Sequence, residues 1–293
     1  MGEQFFIMKR YIITKGIFFG LQVKLFIMFV EVNESMPMLD VKDVSLYYNV
    51  KGNGTPIVFI HPPLLTCENF RYQMEELSQY FKVISFDIRG HGRSQYSFKP
   101  ITYRLIGEDI THLLDHLGIE KAFLCGYSTG SSVALEFMLT YPDRAFGSIL
   151  VSGMSEVSDF YNRKRISLSI KLANPATFSI LAKAITIGNA DSMETFKTLY
   201  RAAEKGDVKN INQYYQYSLE YNCTEQLENI EQPILLVYGK KDKSFHQYAK
   251  LLHEKLRYNE LKFLSNEKHQ IPTKATPQLN QLIIDFVHLH NKS

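Results

Sequence analysis

A chain of 293 residues with 45% hydrophobic and 22% charged residues is long enough for one large domain or two small ones, with ample apolar content for a core. Its formal charge of +3 is spread without a basic stripe, which argues against nucleic acid as a partner. Cys67, Cys125 and Cys223 are odd in number and widely spaced, so neither a disulfide framework nor a metal site is suggested, and the thiols read as reduced in a cytoplasmic protein.

Residues 1–35 differ from the rest. Phe5 to Val30 is rich in Phe, Ile and Val, but Lys9, Arg10, Lys15 and Lys24 interrupt it, so no uncharged run approaches the roughly 18 to 20 residues of a membrane span. A secretory cleavage site is also missing, since Glu31-Val32-Asn33-Glu34-Ser35 supplies no small-residue pattern. The favoured reading is an extension from an upstream start, with Met36 or Met38 a sensible start for the domain that follows. An interfacial amphipathic anchor and a degenerate signal are less favoured, and with them membrane contact through this segment.

Further on, Val41 to Val50 alternates as an edge strand, and Lys51-Gly52-Asn53-Gly54-Thr55 is a turn. Pro56 to Ile60 is a continuous apolar run that fits a strand buried on both faces, ended by His61-Pro62-Pro63. Phe70 to Phe81 predicts a helix and Lys82 to Phe86 a strand, which closes on Asp87-Ile88-Arg89-Gly90-His91-Gly92-Arg93-Ser94. Tyr103 to Leu117 carries apolar residues at helical spacing, with Gly118 as its stop. Ala122 to Cys125 is the next short apolar strand, Ser131 to Tyr141 a helix, and Gly147 to Ser152 a further strand.

The strand and helix alternation breaks from about Ser155 to Glu225, which reads as several helices rich in aromatic residues, among them Phe160, Tyr161, Phe178, Tyr214 and Tyr215. It resumes with a strand at Pro233 to Tyr238, a helix at Tyr248 to Leu256, a strand at Leu261 to Leu264 and a last helix at Pro277 to Leu289. This predicts an α/β fold, a doubly wound and mostly parallel sheet built from residues 36–154 and 226–293, with residues 155–225 inserted as a helical cap over the strand ends. Ligands of such sheets bind at the carboxyl ends of the strands.

Between the strand at Ala122 and the following helix lies Gly126-Tyr127-Ser128-Thr129-Gly130. A strand that turns straight into a helix passes through a tight turn, and glycines on either side of the serine let neighbouring backbones approach closely. The serine then stands at the tip beside the positive end of the helix. A serine hydroxyl needs a base, and the base an orienting carboxylate. Asp242, in the loop after the strand at Ile234 to Tyr238, and His269, after the strand at Leu261 to Leu264, complete the order serine, acid, histidine expected for a nucleophile elbow. Glu156 and Asp159 are alternative acids. His112 and His116, one helical turn apart, read as a solvated face in the absence of a third metal ligand.

These residues resemble the α/β-hydrolase family over about Leu39 to Val287. The carriers are His61-Pro62-Pro63, the D-I-R-G-H-G-R-S of Asp87 to Ser94, the G-Y-S-T-G of 126 to 130, the G-K-K-D of 239 to 242 and the H-Q-I-P of 269 to 272. The resemblance implies an α/β-hydrolase fold of the serine branch, structural roles for Asp87, Arg89 and Gly90, and no cofactor. Similar proteins carry His-Gly at His61-Pro62 and use a backbone N–H two residues after the histidine for the oxyanion. Here that position is Pro63, which has no N–H. The donors are then Thr129 N–H with Leu64 N–H or Leu65 N–H.

The expectation is a serine hydrolase acting on a small-molecule carboxylic ester, or a related acyl or carbon–carbon bond, with a small and largely apolar acyl group. The alternatives are a non-catalytic ligand-binding receptor on the same fold and a membrane-surface lipase that uses residues 1–35. The sequence sets no oligomeric state.

Overall fold

The computed structural model of the protein describes residues 37–291, so the expectations placed on residues 1–35 lie outside the described residues. The first two strands, β1 (Met38–Val41) and β2 (Val44–Lys51), form an antiparallel hairpin where alternation alone predicts one edge strand. The chain reverses at Lys42-Asp43 with Lys42 at φ 49, a conformation usually given to Asn or Gly, so no sequence signal announces the turn.

The remaining strands are β3 (Pro56–Ile60), β4 (Lys82–Phe86), β5 (Ala122–Tyr127), β6 (Ala145–Val151), β7 (Ile234–Gly239) and β8 (Asn259–Leu264). Between β3 and β4 the predicted helix is shorter: α1 covers Arg71–Glu76, flanked by single 3-10 turns at Cys67–Phe70 and Leu77–Gln79. Then come α2 (Tyr103–His116) and α3 (Thr129–Thr140). Four helices, α4 (Phe160–Leu172), α5 (Phe178–Asn189), α6 (Met193–Ala203) and α7 (Val208–Glu220), stand between β6 and β7. The chain closes with α8 (His246–Lys255), α9 (Ile271–Lys274) and α10 (Thr276–His290).

All eight strands form one sheet in the order β1-β2-β4-β3-β5-β6-β7-β8. From β4 to β8 neighbours run parallel, while β1 and β2 are antiparallel. Alternate residues of one strand enter opposite cores. Val58, Ile60 and Leu124 join a layer with α2 and α3, whereas Ile57, Phe59 and Phe123 join a second layer with α1 and α10. Double-sided burial is why β3 and β5 read as unbroken apolar runs. The fold is therefore α/β, as the alternation predicts.

The strand order also places the site. β3 is followed by β4 on one flank and has β5 on the other, so the winding reverses between β3 and β5. The loops leaving these two strands diverge there and open a crevice at their carboxyl ends. No helix among the described residues is long and apolar enough to cross a membrane.

Candidate active site

Ser128 occupies the bend between β5 and α3 with φ 54 and ψ −123, a strained conformation for a residue with a side chain. Packing enforces it. A Cβ on Gly126 would lie 2.4 Å from the Gly130 carbonyl oxygen, and one on Gly130 would lie 2.2 Å from the Ile60 carbonyl oxygen. Only glycine lets the helix start this close to β3. The bend is pinned by Ser128 N–H donating to the Val151 carbonyl (2.8 Å) and by the Ser131 hydroxyl donating to the Gly126 carbonyl (2.7 Å).

His269 Nε2 lies 3.1 Å from Ser128 Oγ, and its Nδ1 lies 2.8 Å from Asp242 Oδ2. A carboxylate only accepts, so Nδ1 carries the ring proton and Nε2 keeps its lone pair toward the serine hydroxyl. These three residues come from the ends of β5, β7 and β8. The imidazole and carboxylate are mostly buried, at 14% and 9% side-chain exposure, which limits how far water weakens their attraction. The His269 ring packs on Phe245 at 4.3 Å and on Tyr127 at 5.4 Å between centroids. The Ser152 hydroxyl donates to its carbonyl at 3.1 Å. Gly239 permits the crossing of this loop over β7, because a Cβ there would meet the Lys268 carbonyl oxygen at 2.3 Å.

Glu156 and Asp159, the alternative acids, are engaged elsewhere. Glu156 accepts from Asn222 and Thr224, and Asp159 caps α4 through Asn162 N–H and accepts from the Tyr248 hydroxyl. His116 meets the Tyr48 hydroxyl at 3.1 Å, far from this chemistry in the fold. The three thiols are buried, and burial pushes each of them up, Cys223 to about 12.

Thr129 opens α3 with its N–H at the helix N-terminus, where no carbonyl precedes it in the helix. Leu64 follows Pro63 with φ 71. Among the described residues, neither the Thr129 N–H nor the Leu64 N–H donates to a protein acceptor. His61 is fully buried and fixes the start of this loop: its Nδ1–H donates to the Pro62 carbonyl, and its Nε2 accepts from Ile88 N–H at 2.9 Å. Burial, with the nearby His91, holds its pKa well below the ordinary value, so the ring is neutral.

The D-I-R-G-H segment braces the loops. Asp87 accepts from Cys67 N–H (2.8 Å) and Arg93 N–H (2.9 Å), while Arg89 makes a buried two-point contact with Asp109 at 2.6 and 2.7 Å. Gly90 sits at φ 68 against Asn210 of α7, where a Cβ would clash at 2.3 Å.

Sequence reasoning passes over the residues that tie the inserted helices to these loops. The Tyr127 hydroxyl donates to Asn189 Oδ1 of α5 at 2.9 Å, and the Thr273 hydroxyl donates to the Asn189 carbonyl. Asn189 thus joins a neighbour of Ser128 to the segment after His269. Tyr127 lies inside the G-x-S-x-G pattern and could have been singled out by it. Asn189 carries no local signal. The aromatics of the insertion do not form a single lining: Phe160 and Tyr161 are largely exposed, whereas Tyr214 and Tyr215 are buried.

Comparison with known proteins agrees with the fold. Residues 55–165 match the family described as alpha/beta hydrolase fold. The chain is 23% identical over 262 residues to the AB hydrolase superfamily protein YisY of Bacillus subtilis, covering 83% of this chain and 95% of that one. It is 25% identical over 211 residues to 3-oxoadipate enol-lactonase 2 of Acinetobacter baylyi, covering 70% and 78%. The esterase EaEST of Exiguobacterium antarcticum superposes with a TM-score of 0.78 at 18% identity, over 86% of this chain and 98% of that chain. The match, the sheet order and the elbow agree on an alpha/beta-hydrolase fold.

Proposed function

We propose that the protein is a serine hydrolase that cleaves a small, largely apolar carboxylic ester, or a related acyl or carbon–carbon bond. The observation that carries this reading is the unbroken hydrogen-bonded chain Ser128 Oγ, His269 Nε2, His269 Nδ1, Asp242 Oδ2, at 3.1 and 2.8 Å. Ser128 Oγ attacks the carbonyl carbon while His269 Nε2 takes the hydroxyl proton, and Asp242 steadies the imidazolium that forms. The tetrahedral intermediate collapses as His269 returns the proton to the leaving oxygen, leaving an acyl group on Ser128. Water, deprotonated by His269, then releases the acid. Thr129 N–H and Leu64 N–H serve the oxyanion in both steps. A likeness to an enol-lactonase is in keeping with an oxygen ester as the substrate.

A fluorophosphonate probe and a series of p-nitrophenyl esters of increasing chain length test the reading. The expected result is labelling and turnover by the wild type, both lost in Ser128→Ala, with the shortest acyl groups preferred. A wild type that neither reacts with the probe nor turns over any ester, yet binds a ligand, is a receptor on this fold instead.

A further inference from the structure

Two adjacent tyrosines of α7 reach from the inserted helices to the loop after β3. The Tyr214 hydroxyl donates to the His61 carbonyl at 3.1 Å, and the Tyr215 hydroxyl stands 3.5 Å from the Pro63 carbonyl oxygen, the outer limit for such a bond. Both rings are buried. The Thr129 hydroxyl, directly after Ser128, is buried without a hydrogen-bond partner among the described residues. One inserted helix thus grips the segment that holds the proposed oxyanion donor Leu64 N–H.

The loop needs such a hold. Leu64 at φ 71 occupies the left-handed region, which is strained for a residue with a branched side chain. A proline followed by a residue of positive φ is the pattern of a type II turn, and its competitor, type I, differs by a flip of the peptide between these two residues. That peptide is trans, so its carbonyl and N–H point in opposite directions. The Tyr215 hydroxyl on the carbonyl side at Pro63 therefore selects the side to which Leu64 N–H is directed, while the shorter bond from Tyr214 anchors the His61 carbonyl from which the turn starts. The loop starts beside the elbow, since Ile60 pairs with Gly126 and its carbonyl abuts Gly130.

We infer that Tyr214 and Tyr215 are positioning residues: they hold the His61–Leu64 turn in the conformation that presents Leu64 N–H to the substrate oxyanion, so the cap completes the oxyanion hole. The inference rests on the serine-hydrolase reading. Binding of the ground-state ester does not use this donor fully; the intermediate does.

The test compares Tyr214→Phe, Tyr215→Phe and the control Tyr103→Phe in the full-length chain. Tyr103 packs edge-on against Tyr214 at 5.9 Å, and its buried hydroxyl has no partner among the described residues, so the control removes a hydroxyl from the same cluster without touching the loop. Tyr214→Phe is expected to lower kcat on a p-nitrophenyl ester roughly 10- to 100-fold, less than the full loss of a donor. KM should stay within about twofold, and inhibition by an aryl trifluoromethyl ketone, which forms an oxyanion on the serine, should weaken by the same factor as kcat. Tyr215→Phe should show the same split more weakly, and it carries the test if Tyr214→Phe loses its melting transition. An unchanged kcat in both variants, a rise in KM alone, or an equal fall in Tyr103→Phe overturns the inference. In each of those cases a wild type labelled by the fluorophosphonate leaves the serine-hydrolase reading standing, whereas an unlabelled and inactive wild type removes both.

Discussion

All six residues of β5 are buried, whereas the thirteen residues of α4 bury one, Asn162. The sheet is held by apolar side chains entering two cores, one on each face. The cap also sends apolar residues such as Leu181 and Ile211 into one of these cores, and in addition it makes polar bonds to the loops at the strand ends: Tyr214 to His61, Asn189 to Tyr127 and Thr273, Asn210 to Ser97, and Asp207 N–H to the Gly90 carbonyl. Hydrophobic burial is non-directional and tolerates small shifts, while a hydrogen bond fixes a distance and an angle. The sheet is therefore expected to supply most of the stability and the approximate convergence of the loops, and the polar cap contacts their fine placement. Damage to the sheet should read out in unfolding, and damage to the cap contacts in turnover.

The sharpest departure from that division is the proposed reacting centre, which sits on sheet loops but is expected to bear on chemistry alone. Asp242→Asn keeps the shape and removes the charge that selects the His269 tautomer, so kcat should fall about 10⁴-fold while the melting temperature changes little, as steady-state kinetics and calorimetry would register. A large loss of stability would mean that the carboxylate is structural.

Gly130→Ala tests the sheet side. The added methyl would sit 2.2 Å from a backbone oxygen of β3 that cannot move aside, and a loss of about 3 kcal/mol or more is expected in urea unfolding. An unaltered midpoint would show that the elbow and β3 are less tightly joined than their geometry says.

Acid should act through the buried histidine pair, His61 and His91, whose rings lie 5.3 Å apart beneath the loop held by Tyr214. Burial lowers the His91 pKa from 6.5 to about 4, against the opposing pull of Asp207, and lowers that of His61 as well. Between these values the unfolded chain binds a proton that the fold refuses, so stability is full above pH 6.5 and is lost as the pH falls toward 4, by roughly 3 kcal/mol for His91. Urea unfolding at pH 7 and pH 4.5 measures this, and His91→Gln should flatten the dependence.

Asn189→Ala is the gentlest of the four and tests the cap side. It leaves the Tyr127 hydroxyl without its acceptor, at a cost of about 1 to 3 kcal/mol, and should lower kcat by more than the exposed substitution Leu168→Ser, which is expected to leave both stability and turnover near wild type. Equal effects of the two would remove the claim that the cap contacts place the loops.

Much of the core was legible because its signals are local. Largely apolar runs marked β3, β4, β5 and β7, and the glycines around Ser128 marked a bend that only close backbone packing requires. The β1–β2 hairpin was not legible, since Lys42 takes a conformation that its side chain does not advertise. The Phe70 to Phe81 run suggested a single helix, but 3-10 turns take both of its ends and leave α1 with six residues.

The sequence by itself determined the alternation of strands and helices and the elbow, because each depends on side chains within a few residues of one another, and the order of Ser128, Asp242 and His269 is read directly along the chain. Only the tertiary structure decided that Asp242 rather than Asp159 meets His269, that Gly239 makes room for the His269 loop, and that Tyr214 and Asn189 grip the loops around the serine. Those contacts join residues up to 153 positions apart, and a hydrogen bond between such partners is set by how helices and strands pack, which no local pattern encodes.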